Sequence, residues 1–305
     1  MKKWLFLFTI LLCWLIAGFV LFNPLPAQDT GAIQFPEEIS RIISTAPNIT
    51  EILFALGLDE KIAAVTSDSS YPPAAAEKIY IGNFWQPDIE AIIAAKPDLV
   101  VTLGFPLYPQ QQNLADRLRR LGYNSLTVFN TENISDLYDA VEEIGLATDT
   151  KMQADALTVE IKQKLDKIAL LTAEKEIVRV LYIVQRNPLR VAGTDTFINE
   201  MIRLAGGQNA IGPTIQKYPP ISSEQLIACK ADVIIEPAMG QKNTDLLREN
   251  AFRYWSRFTN VPAIKNKRIY IVDDDAVSQL GPRLCEGAEK IARCLNPQLF
   301  ENQKQ

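Results

Sequence analysis

Short runs of aliphatic and β-branched residues recur through the first half of the chain, at 41–45, 61–65, 79–81, 98–103 and 125–129, each bounded by polar or turn-forming residues. Between these runs the apolar positions fall three or four apart. Such switching of period predicts strands alternating with helices, the order that builds a parallel sheet. Pro47 opens one helix, with Ile52, Leu53 and Leu56 on its apolar face and Gly57 beyond its end. Asn133 or Ser135 caps another, with Leu137, Val141 and Ile144 inward and Gly145 as its stop.

From about residue 149 the pattern changes. Leu157, Ile161, Leu165 and Ile168 follow at helical spacing among Lys, Glu, Gln and Asp, with no Gly or Pro between 149 and 173. One amphipathic helix of roughly 37 Å is expected there. Alternation then resumes with a strand at 177–185, a short extended piece at 189–192 and a helix at 196–205 stopped by Gly206 and Gly207. A helix from Ser222, strands at 232–236 and 268–272 and a last helix after Pro282 complete the reading. The domains expected are therefore an α/β lobe at 38–148, a linking helix at 149–174 and a second α/β lobe at 175–298. The tail beyond Pro297 is polar and is expected to fray.

Lys2 and Lys3 precede an uncharged stretch of 19 residues, Trp4 to Phe22, followed by Asn23, Pro24, Pro26 and Ala27. Residues 1–28 read as an export signal cleaved near Ala27, or as an uncleaved membrane anchor, since the apolar run approaches the roughly 20 residues that span a bilayer. Ile10, Leu11, Leu12 and Trp14 around Cys13 are not the small residues that flank a lipidated cysteine. Net charge is −5 with no basic cluster, which excludes nucleic acid as a partner. The chain also has no histidine, so serine triads, histidine bases and imidazole metal ligation are absent together. An exported hydrolase on an α/β fold is the alternative from another class, but no G-x-S-x-G elbow, phosphate loop or metal cluster supports it. Outside the leader, Cys229, Cys285 and Cys294 allow one disulfide plus one free thiol, with Cys229 paired to one of the others. Cys285 and Cys294 lie about 13 Å apart along one helix and cannot bridge each other; three buried reduced thiols are the other arrangement open.

Six segments carry a family resemblance: RIISTAPNITEILFALGL, DSSYPP, FWQPDIEAIIAAKPDLVV, PPISSEQLIACKADVII, RYWSRFTNVPAIKNKRIYIVD and GPRLCEGAEKIA. In this order, around a long central helix, they resemble the periplasmic binding proteins whose two lobes are joined by one backbone helix, and within them the cobalamin-binding branch. The resemblance runs from about Arg41 to the final helix. It implies two Rossmann-like lobes with parallel sheets, a ligand cleft between them and no enzymatic activity.

The resemblance places Trp85 in the pocket, on a loop between Gly82 and Pro87; packing at the sheet edge is the bland reading of the same residue. Tyr71 lies in DSSYPP, where Asp68 replaces a tyrosine more typical of the branch. Arg190 stands where that branch has phenylalanine, and either pairs with a negative group on the ligand or is a solvated loop charge. Tyr218, in KYPPISSE, lies near a pocket tryptophan of the family. Phe105 and Tyr108 point toward the cleft mouth, and Asp275, after Asp273 and Asp274, matches a pocket aspartate. No metal site is expected. Glu90 and Glu224 each begin a helix, where the dipole alone favours a carboxylate, but the resemblance gives them the docking of permease arginines. The function expected is that of a monomeric periplasmic component of an ABC importer, capturing cobalamin or another corrinoid for the membrane permease. An iron siderophore or haem is the alternative ligand of the same fold.

Overall fold

The computed structural model describes residues 38–104, 109–129, 132–238, 244–272 and 275–300. The leader, Phe105, Tyr108, Asp273 and Asp274 lie outside the described residues, as does the side chain of Asp275. In the first lobe the elements are β1 (Ile42–Ser44), α1 (Pro47–Ala55), β2 (Ile62–Val65), β3 (Ile79–Tyr80), α2 (Ile89–Ala94), β4 (Leu99–Gly104), α3 (Pro109–Arg120), β5 (Ser125–Phe129) and α4 (Ile134–Ala147). Helix α5 (Lys151–Thr172) links the lobes. The second lobe holds β6 (Val178–Arg186), β7 (Leu189–Val191), α6 (Phe197–Leu204), β8 (Gly207–Asn209), α7 (Ser223–Ala228), β9 (Val233–Pro237), α8 (Thr244–Trp255), α9 (Pro262–Lys265), β10 (Ile269–Val272), α10 (Asp275–Ser278) and α11 (Leu284–Leu295).

The first sheet is parallel throughout, in the order β3-β2-β1-β4-β5. Its central strands are covered on both faces, so Ile42, Ile43, Leu99, Val100 and Val101 are all fully buried. Continuous apolar runs are the mark of strands buried in this way. The second sheet runs β10-β9-β6-β7, with β8 beside the start of β6 and β7 antiparallel to its end. In such open parallel sheets, the loops at the carboxyl ends of the strands shape the crevice available to a ligand.

Helix α5 buries Ala154, Ile161, Leu165 and Ile168, and packs on α4 of the first lobe and on α6 and α11 of the second. Gly145 does not stop α4. The helix continues to Ala147, and a Cβ on Gly145 would lie 2.5 Å from that of Ala154, so the glycine lets α4 and α5 touch. The turn is made instead by Asp149, at φ +57°. The described part of the tail is packed where fraying was expected: Pro297–Leu299 forms a 3-10 turn, and Phe300 is buried with the Arg293 guanidinium 4.4 Å from its ring centre. Of the two arrangements open for the cysteines outside the leader, the structure shows the reduced one rather than the disulfide. All three cysteines are buried free thiols, Cys229 on Leu226 O, Cys285 on Ile161 O and Cys294 near Arg268. Burial pushes the Cys285 thiol up to about 11 and the Cys294 thiol up to about 12.

Candidate ligand cleft

Loops from the two lobes enclose a cavity of about 290 Å³, within a space of about 970 Å³ that continues into solvent. Pro47, Asn48, Asp68, Phe84, Trp85, Leu103 and Glu132 line it from the first lobe. Thr196, Phe197, Lys217, Tyr218, Ser278, Gln279 and Leu280 line it from the second. Among the described residues the lining has one cation, Lys217, against two carboxylates, Asp68 and Glu132. The rest is aromatic, amide, hydroxyl or aliphatic.

The aromatic platform is built by a tight loop. Gly82 sits at φ +86°, bridged to Pro87, and a Cβ there would meet Gln86 O at 2.4 Å, so only glycine fits. The Asn83 carboxamide oxygen accepts from the backbone N–H groups of Trp85 (2.9 Å) and Gln86 (2.8 Å). Phe84 is pinned on both sides: its N–H donates to Asp68 at 2.6 Å, and its carbonyl accepts from the buried Gln111 amide at 2.8 Å. Gln111 in turn accepts from the Thr45 hydroxyl at 2.8 Å. The result is a Phe84–Trp85 edge-on pair, 5.1 Å between ring centres, with Trp85 59% exposed toward the cavity it lines. An exposed aromatic on a rigid loop is ready to bind with little loss of entropy.

Across the cleft, the loop at 212–220 is anchored on its own lobe. Gly193 N–H donates to Lys217 O at 2.7 Å, and the approach is so close that a Cβ on Gly193 would lie 2.6 Å from Thr214 Oγ1. Arg190 donates to Tyr218 O at 2.9 Å. Arg190 therefore holds the loop that presents Tyr218, and it is not among the residues lining the cavity.

Ion pairs and hydrogen bonds tie the lobes together. Arg283 pairs with Glu51 at 2.6 Å in a buried bridge, and the Arg283 guanidinium lies 3.8 Å from the ring centre of Tyr71. Asn48 donates to Leu280 O at 3.3 Å. Lys217 pairs with Glu132, and Ile134 N–H, at the start of α4, donates to the Glu200 carboxylate at 2.6 Å.

Of the residues expected at the site, the structure gathers Asp68, Trp85 and Tyr218 around the cavity. Tyr71 instead stacks on Arg283 outside the lining. Phe84, Gln111, Glu132, Phe197 and Lys217 were not found from the sequence. For Phe84 the signal was present, one position before Trp85 in FWQP; the others depend on contacts between distant segments. Glu90 and Glu224 lie in the first turns of α2 and α7, exposed and away from the cavity. Asp88 caps α2 by accepting from Glu90 and Ala91 N–H, and Ser222 caps α7 in a capping box with Gln225. The Ser222 hydroxyl and the backbone N–H of Glu224 hold the Glu224 carboxyl below its usual range.

Two α/β lobes, a linking helix and an aromatic cleft define a solute-binding architecture. The profile of the periplasmic binding protein family matches residues 42–276, and the chain belongs to that family, whose members bind solutes and are not enzymes. It is 29% identical over 273 residues to an uncharacterized ABC transporter substrate-binding lipoprotein, YvrC, of Bacillus subtilis, covering 88% of this chain and 84% of that one. It is 26% identical over 279 residues to the vitamin B12-binding protein of Vibrio parahaemolyticus, covering 88% of this chain and 96% of the relative. Among solved structures it is similar to a possible iron-binding periplasmic solute-binding protein of Staphylococcus epidermidis, with a TM-score of 0.74, 28% identity and coverage of 85% and 99%.

Proposed function

We propose that this chain captures cobalamin or another corrinoid in the periplasm and delivers it to the permease of an ABC importer. The observation that carries the ligand class is the chemistry of the cleft wall. Trp85 and Phe84 offer a rigid aromatic face, while Asn48, Gln279, Ser278 and Thr196 offer amide and hydroxyl groups suited to an amide-fringed macrocycle. Charge points the same way. Lys217 is already neutralised by Glu132 and Asp68 is held by Phe84 N–H, so the described lining presents no unpaired cation to a highly anionic chelate. The vitamin B12-binding relative supports this reading. A ligand of corrinoid size exceeds the 290 Å³ enclosed volume and extends into the solvent-continuous part of the cleft.

In this reading Trp85, Tyr218 and Asp68 belong to the pocket together with Phe105, Tyr108 and Asp275. Tyr71 and Arg190 support it from behind. Glu90 and Glu224 dock the permease, and residues 1–28 direct export. An iron chelate is the second reading, favoured by the possible iron-binding protein of similar structure. Calorimetry separates the two: saturable one-to-one heat with cyanocobalamin is expected, whereas binding of a ferric siderophore or haemin alone would replace the ligand assignment.

A further inference from the structure

We infer that Lys217 is a latch between the lobes, exchanging between Glu132 across the cleft and Asp195 on its own lobe as the cleft parts to admit or release its ligand. The inference rests on the solute-binding reading only in that something enters the cleft.

The interlobe contacts are of two kinds. Glu51 and Arg283 keep only 5% and 15% of their side-chain surface exposed, and separating them takes the guanidinium from a carboxylate in the interior. Lys217 and Glu132 keep 26% and 25%, line the cavity itself, and meet water as soon as they part. The first contact is costly to break and the second is cheap.

Lys217 also has a second carboxylate within reach. Asp195 lies 3.7 Å from its Nζ and is 73% exposed, on the same lobe and unaffected by separation of the lobes. Because Gly193 N–H fixes the Lys217 carbonyl, the backbone stays in place and only the ammonium swings. An ammonium that keeps one partner while losing the other opens the cleft at lower cost than one stripped of both. The neighbouring contact opens in step, since Ile134 N–H, which donates to Glu200, is two residues from Glu132.

The test uses the full-length protein and the variants Glu132→Gln, Lys217→Met and Asp195→Asn. Hydrogen exchange on the ligand-free protein reads opening directly. Amides at 132–136 and 212–220 should exchange about twofold to fivefold faster in Glu132→Gln and Lys217→Met, the scale of a half-exposed ion pair, and more slowly in Asp195→Asn. Stopped-flow mixing with cyanocobalamin should show association and dissociation both faster in Glu132→Gln and both slower in Asp195→Asn, with Kd changing less than either rate. Exchange at wild-type rates in all three variants overturns the latch, as does a change in Kd carried by one rate alone. If wild type gives no cyanocobalamin signal while the exchange pattern holds, the latch stands and the corrinoid reading falls.

Discussion

At the scale of the residue, the cleft depends on side chains whose roles differ although they touch. Trp85 is 59% exposed, so Trp85→Ala should leave the unfolding midpoint near wild type while weakening cyanocobalamin binding by about 1–3 kcal/mol, as expected for a buried aromatic contact in the complex. Calorimetry together with thermal unfolding checks both halves; a large loss of stability would make Trp85 a packing residue. Asp68→Ala should weaken binding less and indirectly, by freeing the Phe84 N–H that holds the platform. The buried thiols make a different prediction. Burial raises Cys285 and Cys294 from an ordinary value of 9.0 to about 11 and about 12. Between those values the unfolded chain has released thiol protons that the folded chain retains. Their contribution to stability is therefore complete below about pH 9 and is lost as pH rises toward 11 and 12. Urea midpoints at pH 8 and pH 10.5 should show a steeper decline in wild type than in Cys294→Ala, and equal slopes would refute it.

At the scale of the element, the linking helix is seated by close approach to α4, while charge ties the lobes elsewhere, between α1 and the start of α11. Gly145→Val drives a branched side chain into Ala154 and should cost about 1–3 kcal/mol by denaturant unfolding, through separation of α4 from α5. Arg283→Met removes the guanidinium from the buried Glu51 and should cost about 3 kcal/mol, whereas Lys151→Met at the exposed pair with Asp155 should change stability by under about 0.5 kcal/mol. These elements also mark what the chain discloses about itself. The parallel strands were legible because burial on both faces writes them as unbroken apolar runs, and α5 because its inward positions repeat every three or four residues. Strand β8 was not, since Gly207, Gln208 and Asn209 have no strand pattern and are extended only by pairing with β6. Gly145 was read as a terminator because helix-to-helix contact and helix termination favour the same residue. Trp85 was legible from its loop, but Lys217 and Glu132 are 85 residues apart and meet only when the lobes do.

At the scale of the whole molecule, the proposed function puts capture and delivery on different surfaces, and the two carboxylates outside the cleft allow that proposal to be tested. Glu90 and Glu224 are exposed, each in the first turn of a short helix, one on either lobe. Each helix start is already capped by another side chain, Asp88 for α2 and Ser222 for α7, so neither carboxylate is needed to terminate its own helix. Replacing both with alanine should therefore leave fold and cyanocobalamin affinity intact. Exposed charges of this kind orient an encounter with a cationic partner more than they strengthen it. Uptake in cells should accordingly fall sharply in the Glu90→Ala, Glu224→Ala double variant, and further when both are changed to arginine and repel permease guanidinium groups. Either single variant should fall less, because one lobe still docks. Affinity and uptake must be measured on the same variants. Normal uptake in the double variant would remove Glu90 and Glu224 from docking, and a parallel loss of affinity would place their effect in the cleft instead.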